Sequence, residues 1–185
     1  MRKLTYAMGV SLDGYIADRA GNFDWAAPDE ELHAFHNQQA LQIGVNLYGR
    51  RLYETMRFWA GVNEQTSDSR VMLEWAETWK ATPQVVFSTT LDAVEGNARL
   101  VSANVVEEVA ALKQEDGKDL AVGGAGIAAT LIEAGLVDEY GLFVNPVVVG
   151  GGTPFFPRLD QPLGLELVET RTFGSAVVYV RYRRA

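Results

Sequence analysis

The chain has 185 residues, of which 48% are hydrophobic and 22% are charged, and its net charge is −8 at pH 7. This composition is typical of a globular protein, and the length fits one domain (1–185) with a sizeable core. The negative charge argues against nucleic acid and against anionic membrane surfaces as partners, because both attract basic proteins.

The residue inventory excludes several kinds of site. The chain contains no cysteine, so it has no disulfide, thiol nucleophile or thiolate metal site. His33 and His36 lie three residues apart on a predicted helix, but no third ligand is evident, and we expect no metal. No secretory leader is recognisable, and no apolar run reaches the roughly 20 residues of a membrane span. We therefore expect a cytoplasmic protein that binds a small molecule.

The first half of the chain is predicted to alternate strands and helices. Taken in order, the pattern predicts a strand at 3–10, a turn at 11–14, an extended segment at 15–17, a loop at 18–28, a helix that starts within 28–31, a strand at 44–48, and helices at 50–59 and 67–80. The last helix carries one apolar stripe of Val71, Met72, Trp75 and Trp79.

The second half continues this alternation and ends differently. It predicts strands at 84–87 and 98–102, a helix at 105–114, a strand at 119–122, a helix at 127–134 ended by Gly135, a long strand at 138–149 interrupted by Pro146, and a hairpin of 165–173 and 176–183. The fold class is therefore an α/β sandwich with a mostly parallel sheet and an antiparallel C-terminal hairpin.

Two glycine-bearing segments follow predicted strands and precede predicted helices. Gly49 is followed by Arg50 and Arg51, which could bind phosphates or could be solvated or paired with Glu54. Gly123-Gly124-Ala125-Gly126 has the pattern of a pyrophosphate cradle, although the glycines could also serve only close packing. Because this cluster comes late in the chain, a standard Rossmann domain is not expected.

A third strand end carries hydroxyl groups. Ser88, Thr89 and Thr90 follow the apolar run 85–87, and they can bind ribose or phosphate or simply form a turn. Ligands of open α/β sheets bind outside the carboxyl ends of the strands. Three such ends suggest a phosphate-rich ligand that lies across several strands, most simply a nicotinamide dinucleotide.

Acidic residues are found in a turn and at a helix start. Asp13 precedes Gly14 in a turn, where such a pair usually serves turn geometry. Asp29, Glu30 and Glu31 begin a helix, where acids complement the dipole or could face a cleft and bind a polar heterocycle.

Five motifs occur in order along the chain. They are Ser11-Leu12-Asp13-Gly14-Tyr15-Ile16-Ala17, Tyr48-Gly49-Arg50-Arg51-Leu52-Tyr53-Glu54, Gly123-Gly124-Ala125-Gly126, Leu136-Val137-Asp138-Glu139 and Asn145-Pro146-Val147-Val148-Val149-Gly150-Gly151-Gly152. Together they resemble the dihydrofolate reductase-like superfamily, and in particular the C-terminal reductase domain of bifunctional riboflavin-biosynthesis enzymes. The resemblance covers essentially the whole chain.

The resemblance implies a dihydrofolate reductase-like three-layer sandwich that binds NADPH across the strand ends. It implies that Gly49, Arg50 and Arg51 hold the adenosine phosphates and that Ser88 and Thr89 lie near the adenosine ribose. The pyrophosphate would be bound by Gly123, Gly124, Ala125, Gly126 and Ile127, and the nicotinamide would lie beside Ile16 and Ala17. The apolar C-terminal strands and the related reductases also hint at a homodimer.

The resemblance also suggests which acids act. Glu31-Leu32-His33-Ala34-Phe35 reproduces the spacing around the folate-binding carboxylate of dihydrofolate reductases, but one extra residue after Pro28 means that Glu30 or Asp29 could face inward instead. The riboflavin branch does not rely on that carboxylate, and the turn that holds Asp13 is typical of that branch. The predicted catalytic residues are Glu31, Glu30 and Asp13.

The function predicted from the sequence is an NADPH-dependent reductase, which transfers a hydride to a C=N or C=O bond of a small pteridine- or pyrimidine-like substrate. One alternative is a stand-alone 5-amino-6-(5-phosphoribosylamino)uracil reductase, since the chain is too short to include the deaminase half. Another is a binding protein that keeps the nucleotide cleft without chemistry, and a third is an interaction module that binds no nucleotide. Turnover separates the enzymes from the binding protein, and nucleotide binding separates both from the interaction module.

Overall fold

Strands and helices alternate along the chain in this computed structural model, which describes residues 1–185. The strands are β1 (Leu4–Ser11), β2 (Tyr15–Ala17), β3 (Ile43–Gly49), β4 (Gln84–Phe87), β5 (Ala98–Val101), β6 (Asp119–Gly123), β7 (Glu139–Asn145), β8 (Thr153–Pro154), β9 (Leu165–Thr172) and β10 (Val178–Arg184). The helices are α1 (Glu30–Ala40), α2 (Arg50–Met56), α3 (Arg70–Ala81), α4 (Val105–Gln114) and α5 (Ala125–Glu133), with 3₁₀ turns at Asp24–Ala26 and Arg57–Gly61.

Eight strands form one sheet in the order β5-β4-β3-β6-β1-β7-β10-β9. The six strands from β5 to β7 are parallel, whereas β10 runs antiparallel to both β7 and β9. This arrangement confirms the predicted mostly parallel sheet with an antiparallel C-terminal hairpin. β2 and β8 form a separate two-stranded sheet that the sequence did not predict.

The central strand β1 packs against helices on both faces of the sheet. Its residues Leu4, Tyr6 and Val10 are at most 1% exposed and belong to the large core beneath α4 and α5. The opposite face carries a smaller core, in which Leu32 and Phe35 of α1 contact the C-terminal hairpin. Because successive residues of a strand face opposite ways, one strand supplies both cores.

Local capping accounts for the start of α1 and the end of α5. α1 begins at Glu30 because the Asp29 carboxylate accepts a hydrogen bond from the Leu32 N–H at 2.9 Å. Gly135, with φ of +69°, follows the end of α5 as predicted, since glycine adopts the left-handed conformation without steric cost. No helix has both the length and the apolar character needed to cross a membrane.

Three predicted elements differ from the structure. The strand predicted at 138–149 stops at Asn145, because Pro146 has no N–H for the ladder and the chain then leaves the sheet. The helix predicted at 50–59 is an α-helix only to Met56 and continues as a 3₁₀ turn. The loop predicted at 18–28 contains a 3₁₀ turn, whose Ala26 lies against Gly9 of β1.

Candidate active site

The structure places the three predicted strand ends side by side. β4, β3 and β6 are adjacent and parallel, so their carboxyl ends meet at one edge of the sheet. The register pairs Gly49 with Phe87, and Tyr48 with Gly123. Gly49, Ser88 and Gly124 therefore lie at three neighbouring strand ends, and α2 and α5 start at this edge directly after Gly49 and Gly124.

The start of α5 is open toward this edge. Gly124 has φ of +95°, a conformation that favours glycine, and a Cβ on Gly126 would meet no atom within 4 Å. A Cβ on Gly49 would lie 3.7 Å from Ile127 Cγ2, which shows how closely β3 approaches the helix start. The first N–H groups of a helix have no partner within it and favour anions. The segment fits a pyrophosphate.

Gly123 has a different role from its neighbours. A Cβ there would lie 2.4 Å from Leu52 Cδ2, so this glycine allows α2 to pack against the end of β6. Of the two sequence interpretations, close packing applies to Gly123, whereas Gly126 leaves space for a ligand. A Cβ on Gly124 would touch Leu52 Cβ at 3.6 Å.

The two arginines at the start of α2 are not equivalent. The Arg50 guanidinium binds the Glu54 carboxylate at 2.9 Å and the Thr90 hydroxyl at 2.9 Å. Arg51 is exposed, and its guanidinium makes no hydrogen bond or ion pair within the protein. Arg50 therefore pairs with Glu54, which is one of the two alternatives given by the sequence. Arg51 is the cation available to a phosphate.

The hydroxyl of Ser88 forms a turn. It accepts hydrogen bonds from the backbone N–H groups of Thr90 and Leu91, both at 3.1 Å, while the Thr89 side chain is exposed. Contact of Ser88 and Thr89 with an adenosine ribose stays a prediction. The hydrogen bond of Thr90 with Arg50 was not predicted, because hydroxyls near a strand end look alike in sequence.

Asp13 holds two loops together. Its carboxylate accepts hydrogen bonds from the N–H groups of Val149 at 3.1 Å and Gly150 at 2.8 Å. The hydrogen bond from Ser11, together with these amides, lowers the pKa of Asp13. The carboxyl is thus ionised at neutral pH and occupied by backbone donors, so its observed role is structural. A catalytic role for Asp13 stays a prediction.

The segment with Ile16 and Ala17 is β2, which lies against the glycine loop. Ala17 pairs with Thr153 of β8, and a Cβ on Gly152 would lie 2.0 Å from the Ala17 carbonyl oxygen. The Arg19 guanidinium adds a hydrogen bond to the Gly150 carbonyl at 2.8 Å. β2 therefore has a defined position beside the end of β1.

Glu31 faces the C-terminal hairpin. One carboxylate oxygen lies 3.2 Å from the Arg171 guanidinium, and the other accepts the Gly174 N–H at 3.0 Å. The other two acids of this helix start, Asp29 and Glu30, line an open cleft of about 320 Å³ between α1, α3 and the 3₁₀ turn at 57–61. Of the acids weighed from the sequence, these two border the cleft and Glu31 does not.

The cleft also contains aromatic, apolar and imidazole groups. Its eight lining residues include His33, Trp59, Ser69 and Met72. The residue His33 is 8% exposed. Its ring stands 5.8 Å from the Trp59 ring, and its buried Nδ1 has no hydrogen-bond partner. Burial lowers the pKa of His33 below its ordinary value, so the ring is neutral at pH 7. The apolar stripe of α3 is the one feature of the sequence that indicates this surface.

Residues 2–179 match the family described as the RibD C-terminal domain. The uncharacterized protein YyaP of Bacillus subtilis (strain 168) is 36% identical over 98% of this chain and 94% of its own length. A proposed riboflavin biosynthesis protein from Shewanella sp. PV-4 has a similar structure, with a TM-score of 0.76, 22% identity, and coverage of 100% of this chain and 99% of that chain. Dihydrofolate reductase from Enterococcus faecalis, solved in complex with NADP(H), gives a TM-score of 0.63 and 18% identity over 98% of this chain and 96% of that chain. These matches confirm the predicted dihydrofolate reductase-like fold.

Proposed function

Because the chain belongs to the RibD C-terminal domain family, which includes NADPH-dependent reductases, we propose that it is itself such a reductase. The hydride would pass to a C=N or C=O bond of a small pteridine- or pyrimidine-like substrate. The observation that carries the proposal is the meeting of three strand ends at the open start of α5.

Different residues at the strand ends would bind different parts of the cofactor. The first N–H groups of α5, at Ala125, Gly126 and Ile127, would bind the pyrophosphate, since a helix start favours negative charge. Arg51 would bind the 2′-phosphate as a charged fork, because its guanidinium has no partner in the protein. Ile16 and Ala17 of β2 would lie beside the nicotinamide.

The protein would orient the cofactor and the substrate and would exclude water from the reaction. Bound NADPH would provide the hydride, which is the chemistry of the cofactor. β2, fixed by the Asp13 hydrogen bonds to the glycine loop, would keep the ring in place and exclude water. Asp29 and Glu30, which line the cleft beside α1, would lie on the substrate side and would orient the acceptor ring.

The test is a tryptophan-fluorescence titration with NADPH and NADH on the wild type and on Arg51→Gln. A charge-assisted bond to the 2′-phosphate contributes roughly 1.5–3 kcal/mol, so the wild type should prefer NADPH about tenfold to a hundredfold. Arg51→Gln should remove most of that preference and leave NADH affinity unchanged.

The matched control is Arg183→Gln, at the opposite end of the sheet, where the guanidinium pairs with Glu166. It should leave both nucleotide affinities unchanged. Equal affinity of the wild type for NADPH and NADH would contradict the assignment of Arg51. Tight NADPH binding without turnover on any dihydropterin or aminopyrimidine would favour the non-catalytic binding protein.

A further inference from the structure

We propose that a small cavity between α2, the end of α3 and the start of β4 is a second binding site, which takes an oxyanion that carries an O–H group and has the size of hydrogen phosphate. This amino-edge cavity has a volume of about 120 Å³, and its lining includes Tyr53, Arg57, Lys80, Gln84 and Glu95. Pockets for drug-sized ligands have volumes of roughly 300–1,000 Å³, so the occupant of this cavity is small.

The amino-edge cavity is separate from the cofactor segments. Gln84 is the first residue of β4, whereas Ser88 follows the last residue of that strand, at the carboxyl edge of the sheet. A strand of four residues spans about 13 Å. The cavity and the cofactor segments therefore lie at opposite ends of β4, and the inference goes beyond the proposed reductase function without resting on it.

Gln84 supplies a buried hydrogen-bond acceptor that has no donor. The residue is 3% exposed, and its Nε2 donates to the Trp79 carbonyl at 3.2 Å. Because only the NH₂ end of the amide can donate to a carbonyl, this bond fixes the orientation of the amide and leaves Oε1 without a hydrogen-bond partner. Buried polar atoms are nearly always hydrogen-bonded, so Oε1 requires a donor from a group that occupies the cavity.

The Tyr53 hydroxyl requires an acceptor in the same cavity. Tyr53 is 3% exposed, and its oxygen accepts the Glu95 N–H at 2.8 Å, but the hydroxyl proton has no acceptor in the protein. The occupant must therefore accept a hydrogen bond from Tyr53 and donate one to Gln84. An oxyanion with one O–H group does both, because its charged oxygens accept and its O–H donates.

The charges of the amino-edge cavity favour an anion. Arg57 and Lys80 bring two positive charges to the lining and Glu95 brings one negative charge, which leaves one positive charge in excess. The Arg57 guanidinium binds Glu95 at 2.8 Å, and the Lys80 ammonium donates to the Val62 carbonyl at 2.6 Å, which leaves two of its three N–H donors for a ligand. A water molecule would satisfy Gln84 and Tyr53 but would leave this charge without a counter-ion.

The experiment titrates the protein with inorganic phosphate and with sulfate by calorimetry, at pH 7 and constant ionic strength. The two ions have nearly the same shape, but phosphate keeps an O–H group at this pH and sulfate has none. We expect phosphate to bind at least about tenfold more tightly, a difference of about 1.4 kcal/mol, because sulfate would present only oxygen acceptors to Gln84 Oε1. Equal binding of the two ions, or binding of neither, would overturn the proposal.

Variants assign the binding to the amino-edge cavity. Lys80→Gln changes an exposed side chain and should weaken phosphate binding about tenfold, and Gln84→Met should remove the preference for phosphate over sulfate. The matched control is Lys118→Gln, because the Lys118 ammonium also donates to a backbone carbonyl, that of Leu41 at 2.9 Å, but lies outside the cavity. Equal phosphate affinities of Lys80→Gln and Lys118→Gln would also overturn the proposal.

Phosphate could also bind at the cofactor segments, and Arg51→Gln separates the two places. Binding that depends on Lys80 should persist unchanged in Arg51→Gln. Loss of phosphate binding in Arg51→Gln, together with normal binding in Lys80→Gln, would assign the ion to the cofactor segments and overturn the proposal. Phosphate binding that depends on Lys80 in a protein that neither binds nor oxidises NADPH would support the cavity and contradict the reductase function.

Discussion

Substituting alanine for Gly152 should destabilise the protein far more than the same change at Gly150, although both glycines belong to one loop. Gly152 has φ of +142°, and a Cβ there would lie 2.0 Å from the Ala17 carbonyl oxygen and 2.6 Å from the Asp18 carbonyl carbon. Both neighbours are backbone atoms, so relief requires β2 to move. Gly150 has φ of +72°, and a Cβ there would meet nothing within 4 Å.

The expected costs follow from these distances. Gly150→Ala carries only the cost of a left-handed residue, about 1–2 kcal/mol. Gly152→Ala adds to a similar backbone strain an overpacking cost of about 1–3 kcal/mol, for a total of about 2–5 kcal/mol. Urea unfolding monitored by tryptophan fluorescence measures both, with the comparison made at an unchanged m-value.

A functional readout accompanies the stability measurement. Since β2 carries Ile16 and Ala17, its displacement in Gly152→Ala should weaken NADPH binding, whereas Gly150→Ala should bind normally. Equal loss of stability in the two variants would refute the packing argument. Normal NADPH affinity in Gly152→Ala would refute the placement of β2 beside the cofactor.

Three further predictions use other parts of the structure. Gly124→Val should abolish NADPH binding while circular dichroism shows a folded protein, because the branched side chain occupies the open start of α5; normal binding by a folded variant would contradict the cradle. Glu31→Gln should cost at most about 1 kcal/mol in urea unfolding, because its ion pair with Arg171 is half exposed, and should leave NADPH affinity unchanged. Burial lowers the pKa of His36 to about 4, so the unfolded chain binds a proton more readily below about pH 6.5. Stability is therefore lost as the pH falls from 6.5 toward 4, by up to roughly 3 kcal/mol from this group. In urea unfolding between these pH values, the free energy of unfolding of His36→Gln should fall less steeply with decreasing pH than that of the wild type. Equal slopes for the two proteins would contradict the assignment.

The order of elements and the location of the strand ends could be predicted from the sequence. Apolar runs that end in glycine or hydroxyl residues identify parallel strands, and parallel strands bring their carboxyl ends to one edge. The sequence does not show which residues at these strand ends serve packing and which are free to bind a ligand, because this depends on packing between distant segments. Gly123 and Gly126 belong to one glycine cluster, yet a Cβ on Gly123 would clash with the Leu52 side chain and a Cβ on Gly126 would meet no atom within 4 Å.

The acids at the start of α1 show the same limit. Three consecutive carboxylates have equivalent local sequence signals, but helical geometry directs them differently: Asp29 caps the helix, Glu31 meets the hairpin and Glu30 borders the cleft. The partners that decide this, Arg171 and Gly174, lie more than a hundred positions further along the chain. Only the tertiary fold distinguishes the three.

The central position of β1 has a consequence for how the protein is made. β1 is the first strand synthesised, yet its neighbours are β6 and β7, with Leu4 opposite Leu120 and Thr5 opposite Glu139. During translation β1 has no strand partner in the main sheet until β6 has left the ribosome, and its second neighbour, β7, follows later still. Contacts between such distant residues slow folding, and exposed strand edges invite aggregation in the meantime. The centre of the main sheet can therefore form only after most of the chain has been synthesised.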